Sequence, residues 1–228
     1  MGTGSRKEVK NYIRKGKVTV NGVTQKSPQY SINPDVDQIQ VNGETIKYKP
    51  FIYLMLNKPK GYITATEDDK HKTVLDLIKE KDKFLEPFPV GRLDKDTEGL
   101  LLITNDGKLA HRLLSPNKAV WKTYIAHLKK EITAEDIHAF QRGLELDDGY
   151  QTKPAQLRSI GNKEVEVKIT EGKFHQVKRM FEARENKVIY LRRVSMGKLH
   201  LDEKLKLGEY RELTEEELAI LRETEEAQ

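Results

Sequence analysis

The sequence predicts an α+β protein of two unequal parts, and three observations carry that prediction. Short runs of strand length, such as the apolar Leu100 to Thr104 and the alternating Lys122 to Ala126, recur along the chain. Between them lie segments with helical spacing, at 5–16, 108–114 and 134–143. A shift from polar to apolar composition at Phe51 separates a small basic N-terminal part from a larger remainder.

In the small part, Ser5 caps a short amphipathic helix in which Val9 and Ile13 share one face and Gly16 ends it. The other face is basic. Lys17 to Val20 reads as a strand, Asn21-Gly22 as a turn, and Gln38 to Val41 as a second strand before the Asn42-Gly43 turn. These boundaries give a module over 1–44, a polar linker over 45–50 and a main domain over 51–228.

The main domain opens on a core strand, Phe51 to Leu56, followed by a basic turn, Asn57-Lys58-Pro59-Lys60-Gly61-Tyr62. Thr73 to Ile78 reads as helical, and Phe88-Pro89-Val90 leads into a polar loop. That loop holds two carboxylates, Asp94 and Asp96, beside two cations, Arg92 and Lys95, with Gly91 and Gly99 at its ends. Charged groups pinned against a buried strand are where catalytic side chains tend to sit, since the scaffold fixes them while they stay accessible. After the loop come the strand Leu100 to Thr104 and a helix that Asn105 or Asp106 can cap. Two strands over 152–170 turn at Gly161-Asn162, and a glycine turn at Gly172 feeds a basic helix with Val177 and Phe181 on one face. A helix with an acidic start, near Glu215, closes the chain.

At 228 residues and 36% hydrophobic content the chain can bury a real core. No apolar run approaches membrane-spanning length and no leader precedes a cleavage site. The absence of cysteine excludes disulfides and fits a reducing cytoplasm. The six histidines lack metal-ligand spacing, so no metal is expected. Residues 1–50 hold nine Lys or Arg against four acids, and residues 202–228 hold ten acids against four bases. Basic blocks and an acidic tail point to a polyanionic partner.

Gly91-Arg92-Leu93-Asp94, then Asp96-Thr97-Glu98-Gly99-Leu100-Leu101-Leu102-Ile103-Thr104-Asn105-Asp106-Gly107, resembles the catalytic-loop signature of bacterial rRNA pseudouridine synthases of the RsuA type. Four further stretches resemble motifs of that family: Asn57-Lys58-Pro59-Lys60-Gly61, Lys122-Thr123-Tyr124, Glu171 to Phe181, and Tyr190 to Gly197 as the last. The resemblance implies a catalytic domain built on a mixed, mainly antiparallel sheet with flanking helices. Gly4 to Lys10 and Ile13 to Gly22 are similar to the small RNA-binding module of ribosomal protein S four, whose members usually begin with one more helix. The module is therefore expected to lack its first helix.

From the resemblance, Asp94, Tyr124 and Lys178 are expected to be catalytic. Asp94 acts at the sugar as nucleophile or as base, Tyr124 stacks on the base, and Lys178 pairs with Asp94. Arg92 and Leu191 hold the target nucleotide. Lys58, Lys60, Lys173, His175, Gln176 and Arg179, with Arg6, Lys7, Lys10, Arg14 and Lys15 of the module, are expected to contact RNA. The implied reaction isomerises uridine to pseudouridine without a cofactor, in ribosomal RNA or an assembly intermediate, by a cytoplasmic monomer. Thr97-Glu98-Gly99 and Leu113 to Pro116 resemble the small-subunit enzymes of the family more than the large-subunit ones, which implies uridine 516 of 16S rRNA as the target. A large-subunit target, or a non-catalytic ribosome-assembly protein, are the alternatives. Asp96 is expected to brace the loop; hydrolysis by an Asp94 and Asp96 pair is disfavoured because, two apart in a loop, they need not face one site.

Overall fold

The computed structural model describes residues 4–46 and 48–223. The chain divides into two compact units, Met1–Ile52 with Lys79–Glu86, and Tyr53–Ile78 with Pro87–Gln228. The boundary near residue 52 lies close to the composition shift. That Lys79–Glu86 groups with the first unit is not visible in the sequence.

In the first unit, α1 (Arg6–Arg14) begins on a reciprocal cap, the Glu8 amide donating to the Ser5 side chain while the Glu8 carboxylate accepts from Ser5. Four short antiparallel strands follow: β1 (Val18–Val20), β2 (Val23–Gln25), β3 (Ile39–Val41) and β4 (Glu44–Ile46), in the order β2-β1-β3-β4. The two Asn-Gly turns join β1 to β2 and β3 to β4, with Asn21 and Asn42 at positive φ. The expected two-strand piece is therefore four-stranded, and the stretch assigned as linker begins as a paired strand. Val18 and Val20 of β1 are buried. A short helix, α2 (Glu80–Lys83), completes this unit.

The second unit is built on β5 (Tyr53–Lys58), β6 (Phe88–Pro89), β7 (Glu98–Thr104), β8 (Lys122–Leu128), β9 (Gln156–Gly161), β10 (Glu164–Ile169), β11 (Val188–Met196), β12 (Leu199–His200) and β13 (Tyr210–Glu212). Their order is β13-β5-β7-β11-β8-β10-β9, with β6 on β7 and β12 on β11. Among the described strands of this sheet only the β7–β11 pairing is parallel, so the sheet is mixed and mainly antiparallel as expected. The helices are α3 (Gly107–Leu114), α4 (Ala134–Arg142), α5 (Gln176–Glu182) and α6 (Glu215–Glu223); Val74–Leu77 forms a 3₁₀ turn.

Every residue of β7 is buried, which is what a strand with both faces covered requires. Leu100 and Leu102 share one core with Met55, Val90, Leu109, Leu113, Met196 and Leu221. Where β7 starts, Gly99 has a φ of +103° and lies against β11 so closely that a Cβ there would collide with the Arg193 carbonyl oxygen. Only glycine permits that approach. It brings the polar loop preceding β7 up to the sheet.

Candidate active site

The loop from Gly91 to Thr97 is held from beneath by backbone and side-chain bonds. The Leu93 amide donates to the Thr64 hydroxyl, which donates to the Leu93 carbonyl, and the Gly61 amide donates to the Lys95 carbonyl. The main anchor is Lys58 at the end of β5. Its side chain is 0% exposed, and its ammonium donates to the carbonyls of Thr97 (2.8 Å), Asp94 (3.0 Å) and Pro59 (3.2 Å). Three protons thus meet three carbonyls, with the Lys95 carbonyl at 3.5 Å. Burial pulls the Lys58 pKa down to about 8, against the attraction of Asp94, Asp96 and Glu98. The expectation that Lys58 contacts RNA is corrected: it is sealed under the loop as a scaffold cation.

A distant segment completes the site. Gln176 is buried and ties the 171–176 turn together, its amide nitrogen donating to Glu171 (2.6 Å) and its oxygen accepting from the Lys173 amide (2.9 Å). Its side chain is thereby spent on the protein rather than on RNA. Val177, Met180 and Phe181 are buried, with the Phe181 ring 4.9 Å from that of Phe140. That anchoring aims Lys178 at the loop. The Lys178 ammonium lies 2.9 Å from Asp94 Oδ2 and 2.6 Å from Asp96 Oδ1. Burial opposes the charge of Lys178, but hydrogen bonds to both carboxylates outweigh it and raise its pKa. Asp96 shows the complement: its partial burial is outweighed by Lys178, and its pKa falls. The two aspartates therefore meet one ammonium, contrary to the expectation that they need not face one site.

Asp94 lies in a cleft with Arg92, Thr97, Tyr124, His175 and Leu191 on its walls. Tyr124 projects from β8 and Leu191 from β11, both buried. His175 has a left-handed backbone (φ +49°), stacks on Phe174 at 3.8 Å, and places Nε2 3.7 Å from Asp94 Oδ1. Arg92 is exposed and makes no ion pair among the described residues. The cavity beside Asp94 is about 60 Å³, room for a few waters. It abuts a larger one of about 360 Å³ that shares Arg92, Tyr124, Gly172 and Lys173.

Four separate stretches of the chain thus bring Arg92 with Asp94, Tyr124, Lys178 and Leu191 to one place. A model of the RNA pseudouridylate synthase family matches residues 52–183. The chain belongs to the RNA pseudouridine synthase family. The synthase is 52% identical over 226 residues to the uncharacterized RNA pseudouridine synthase YtzG of Bacillus subtilis, spanning 97% of this chain and 95% of that one. It is 44% identical over 218 residues to ribosomal small subunit pseudouridine synthase A of Vibrio cholerae, spanning 95% and 94%. Against a solved structure described as a pseudouridylate synthase, identity is 36% and the TM-score 0.71, over 95% of this chain and 94% of that one. It is an RNA-modifying isomerase of the RsuA-like kind.

The remaining expected RNA contacts divide. Lys60 is exposed, 5.1 Å over the Tyr190 ring, and Lys173 is exposed at the cleft rim. Arg179 is committed to Asp147 and Asp148, so its charge is already met. Arg6, Lys7, Lys10 and Arg14 on α1, and Lys15 just after it, are exposed. The sequence reading missed the Tyr190 hydroxyl, which donates to the buried Glu98 at 2.8 Å. Burial and that bond push its pKa up to about 12. No helix among the described residues is long and apolar enough to cross a membrane.

Proposed function

We propose that the synthase converts uridine 516 of 16S rRNA to pseudouridine, with Asp94, Tyr124 and Lys178 as its catalytic residues. The observation that carries the assignment of residues is the Lys178 ammonium 2.9 Å from Asp94 beside Tyr124 and Leu191 in one cleft. The target rests on relatives named small subunit synthases, 44% identical in Vibrio cholerae and 39% in Escherichia coli, each covered over at least 90% of its length.

The reaction breaks the bond from the ribose C1′ to N1 of uracil, rotates the base, and joins C5 to C1′. N1 gains the proton that C5 loses, so atoms balance without a cofactor. Asp94 acts at the sugar, as nucleophile at C1′ or as base at the neighbouring carbon. Lys178 holds that carboxylate in place and supplies the opposing charge. Tyr124 stacks against the detached base and assists loss of the C5 proton. Leu191 packs under the nucleotide. Arg92, exposed and without an ion pair among the described residues, holds the flipped-out nucleotide or its phosphate; extrusion costs a few kcal/mol. Lys60, Lys173 and His175 line its approach, and the exposed cations of α1 meet phosphates. The substrate is rRNA or an assembly intermediate, met in the cytoplasm by a monomer.

Pseudouridine mapping of rRNA from a strain lacking the gene tests this. Loss at 16S position 516 alone, restored by the wild-type chain, is expected. Loss at a 23S position instead transfers the target to the large subunit, and an unchanged map overturns the proposal.

A further inference from the structure

The larger cavity beside Tyr124 is built in a way that isomerisation at Asp94 does not call for. Lys122 and Tyr124 lie two apart on β8 and so share a face of the sheet. Arg193 on β11 is registered opposite Tyr124. All three line the cavity, together with Gly172 and Glu171. Arg193 is only 2% exposed and Lys122 only 7%.

Two cations are thus buried side by side, and among the described residues neither makes an ion pair. Arg193 donates from Nε to the Leu100 carbonyl at 2.8 Å, while its Nη2 is buried with no hydrogen-bond partner. Lys122 has one acceptor, the Val120 carbonyl at 3.2 Å, for three protons. The nearby carboxylate is spoken for. Glu171 accepts from the Tyr150 hydroxyl (2.7 Å), the Lys153 amide (2.9 Å) and Gln176 (2.6 Å). Burying a charge without a contacting counter-charge is costly, and Glu171 offsets only part of that cost for Lys122. A binding site for an anion is the arrangement that recovers such a cost.

We propose that this cavity is an anion subsite that takes a phosphodiester group of the RNA adjoining the uridine held beside Asp94, with Lys122 and Arg193 as its buried donors. The inference rests on reading the Asp94 cleft as the uridine site. At about 360 Å³ the cavity has the dimensions of a small-ligand site, roughly 300–1,000 Å³. Arg92 and Lys173, shared with the Asp94 cleft, extend the positive lining along the path that a strand would take. At Gly172 nothing lies within 4 Å of where a Cβ would stand, leaving the backbone open to a ligand. The charge state agrees: burial first, then the neighbouring Arg193, pulls the Lys122 pKa down to about 8, partly offset by Glu171. An anion placed there would restore it.

Titration of the full chain with sulfate, a tetrahedral anion that does not itself titrate near neutrality, tests the subsite without turnover. Calorimetry should show saturable binding that Lys122→Met weakens roughly tenfold or more, as for loss of a charge-assisted bond. Near pH 8 the wild-type heat should vary with the ionisation enthalpy of the buffer, because binding draws a proton onto Lys122. Fluorescence anisotropy with an rRNA fragment should show affinity falling by a similar factor in Lys122→Met. Absence of sulfate binding, or equal binding by the variant, overturns the subsite. Weakened sulfate binding with unchanged RNA affinity shows a site for a free anion and overturns its assignment to RNA. If Lys122→Met does not fold, the wild-type proton uptake decides, and its absence counts against the proposal. A chain that makes no pseudouridine would refute the proposed function while leaving each of these readings intact.

Discussion

The two units use positive charge in opposite ways. On α1 of the first unit and just after it, Arg6, Lys7, Lys10, Arg14 and Lys15 stand in solvent, where cations cost little and hold no structure. In the second unit Lys58, Lys122 and Arg193 are buried, and Lys178 is clamped between two carboxylates. A solvated cation contributes loose, salt-screened attraction, while a buried one must be answered by fixed partners and therefore fixes them in return. Under the proposed function the difference separates holding RNA from shaping a reacting site, and it can be broken from either end.

The largest effect is expected at the reacting carboxylate. Asp94→Asn keeps the shape of the side chain and removes its charge, so pseudouridine formation should fall roughly 10³-fold or more while RNA affinity changes little. A product assay beside a binding titration checks this, and undiminished turnover would refute the role. Lys178→Met should lose activity too, and a wild-type rate there would remove the ion pair from the mechanism.

Next comes Lys58, which touches nothing that reacts. Lys58→Met leaves the carbonyls of Thr97, Asp94 and Pro59 without a donor, each at a cost of roughly 1–3 kcal/mol if no water replaces it. We expect lower melting temperature and a fall in kcat of about 10²-fold with little change in RNA affinity, because a loop displaced by about 1 Å loses alignment. A variant with normal kcat would show that the loop keeps its form without its anchor.

The same lysine gives a pH dependence. Its native pKa of about 8 lies below the ordinary 10.5, so between those values the unfolded chain holds a proton that the folded one has shed. The contribution of Lys58 to stability therefore rises with pH across that window. Activity should move the other way. The neutral amine has two protons for three carbonyls, and kcat should drop by roughly tenfold on a limb centred near pH 8. Lys178, whose pKa is raised, stays charged through this range. Lys122 also titrates near 8, so the limb should persist in Lys122→Met; its disappearance there would move the effect to the anion cavity.

How far the sequence disclosed this follows the same division. The apolar run of β7, the cap of α3 and the anchored face of α5 are local patterns, and the structure repeats them with Asp106 capping α3 through the amides of Lys108 and Leu109. That Lys178 meets Asp94 across 84 positions came from family likeness alone. Lys58 was read as a basic turn residue because lysine is rarely buried, and its burial depends on carbonyls from a loop nearly forty residues away. Lys122 and Arg193 escaped for the same reason. The short strands β2 and β4 were lost because three residues carry too little periodicity to distinguish a strand from a polar connection.

The smallest effect belongs to the exposed end of the comparison. Exchanging Lys7, Lys10 and Arg14 for glutamine removes three solvated charges from α1 while leaving its Ser5–Glu8 cap and its Val9 and Ile13 face untouched. Stability should stay within about 0.5 kcal/mol, the usual range for surface changes. If these cations meet phosphates, the slope of log affinity against log salt should become shallower by about 2 to 3, close to 0.7–0.9 per contact removed. KM for rRNA should rise at 150 mM salt or so, converge toward wild type as salt is lowered, and leave kcat unchanged. An unaltered slope would show that Lys7, Lys10 and Arg14 do not meet phosphates.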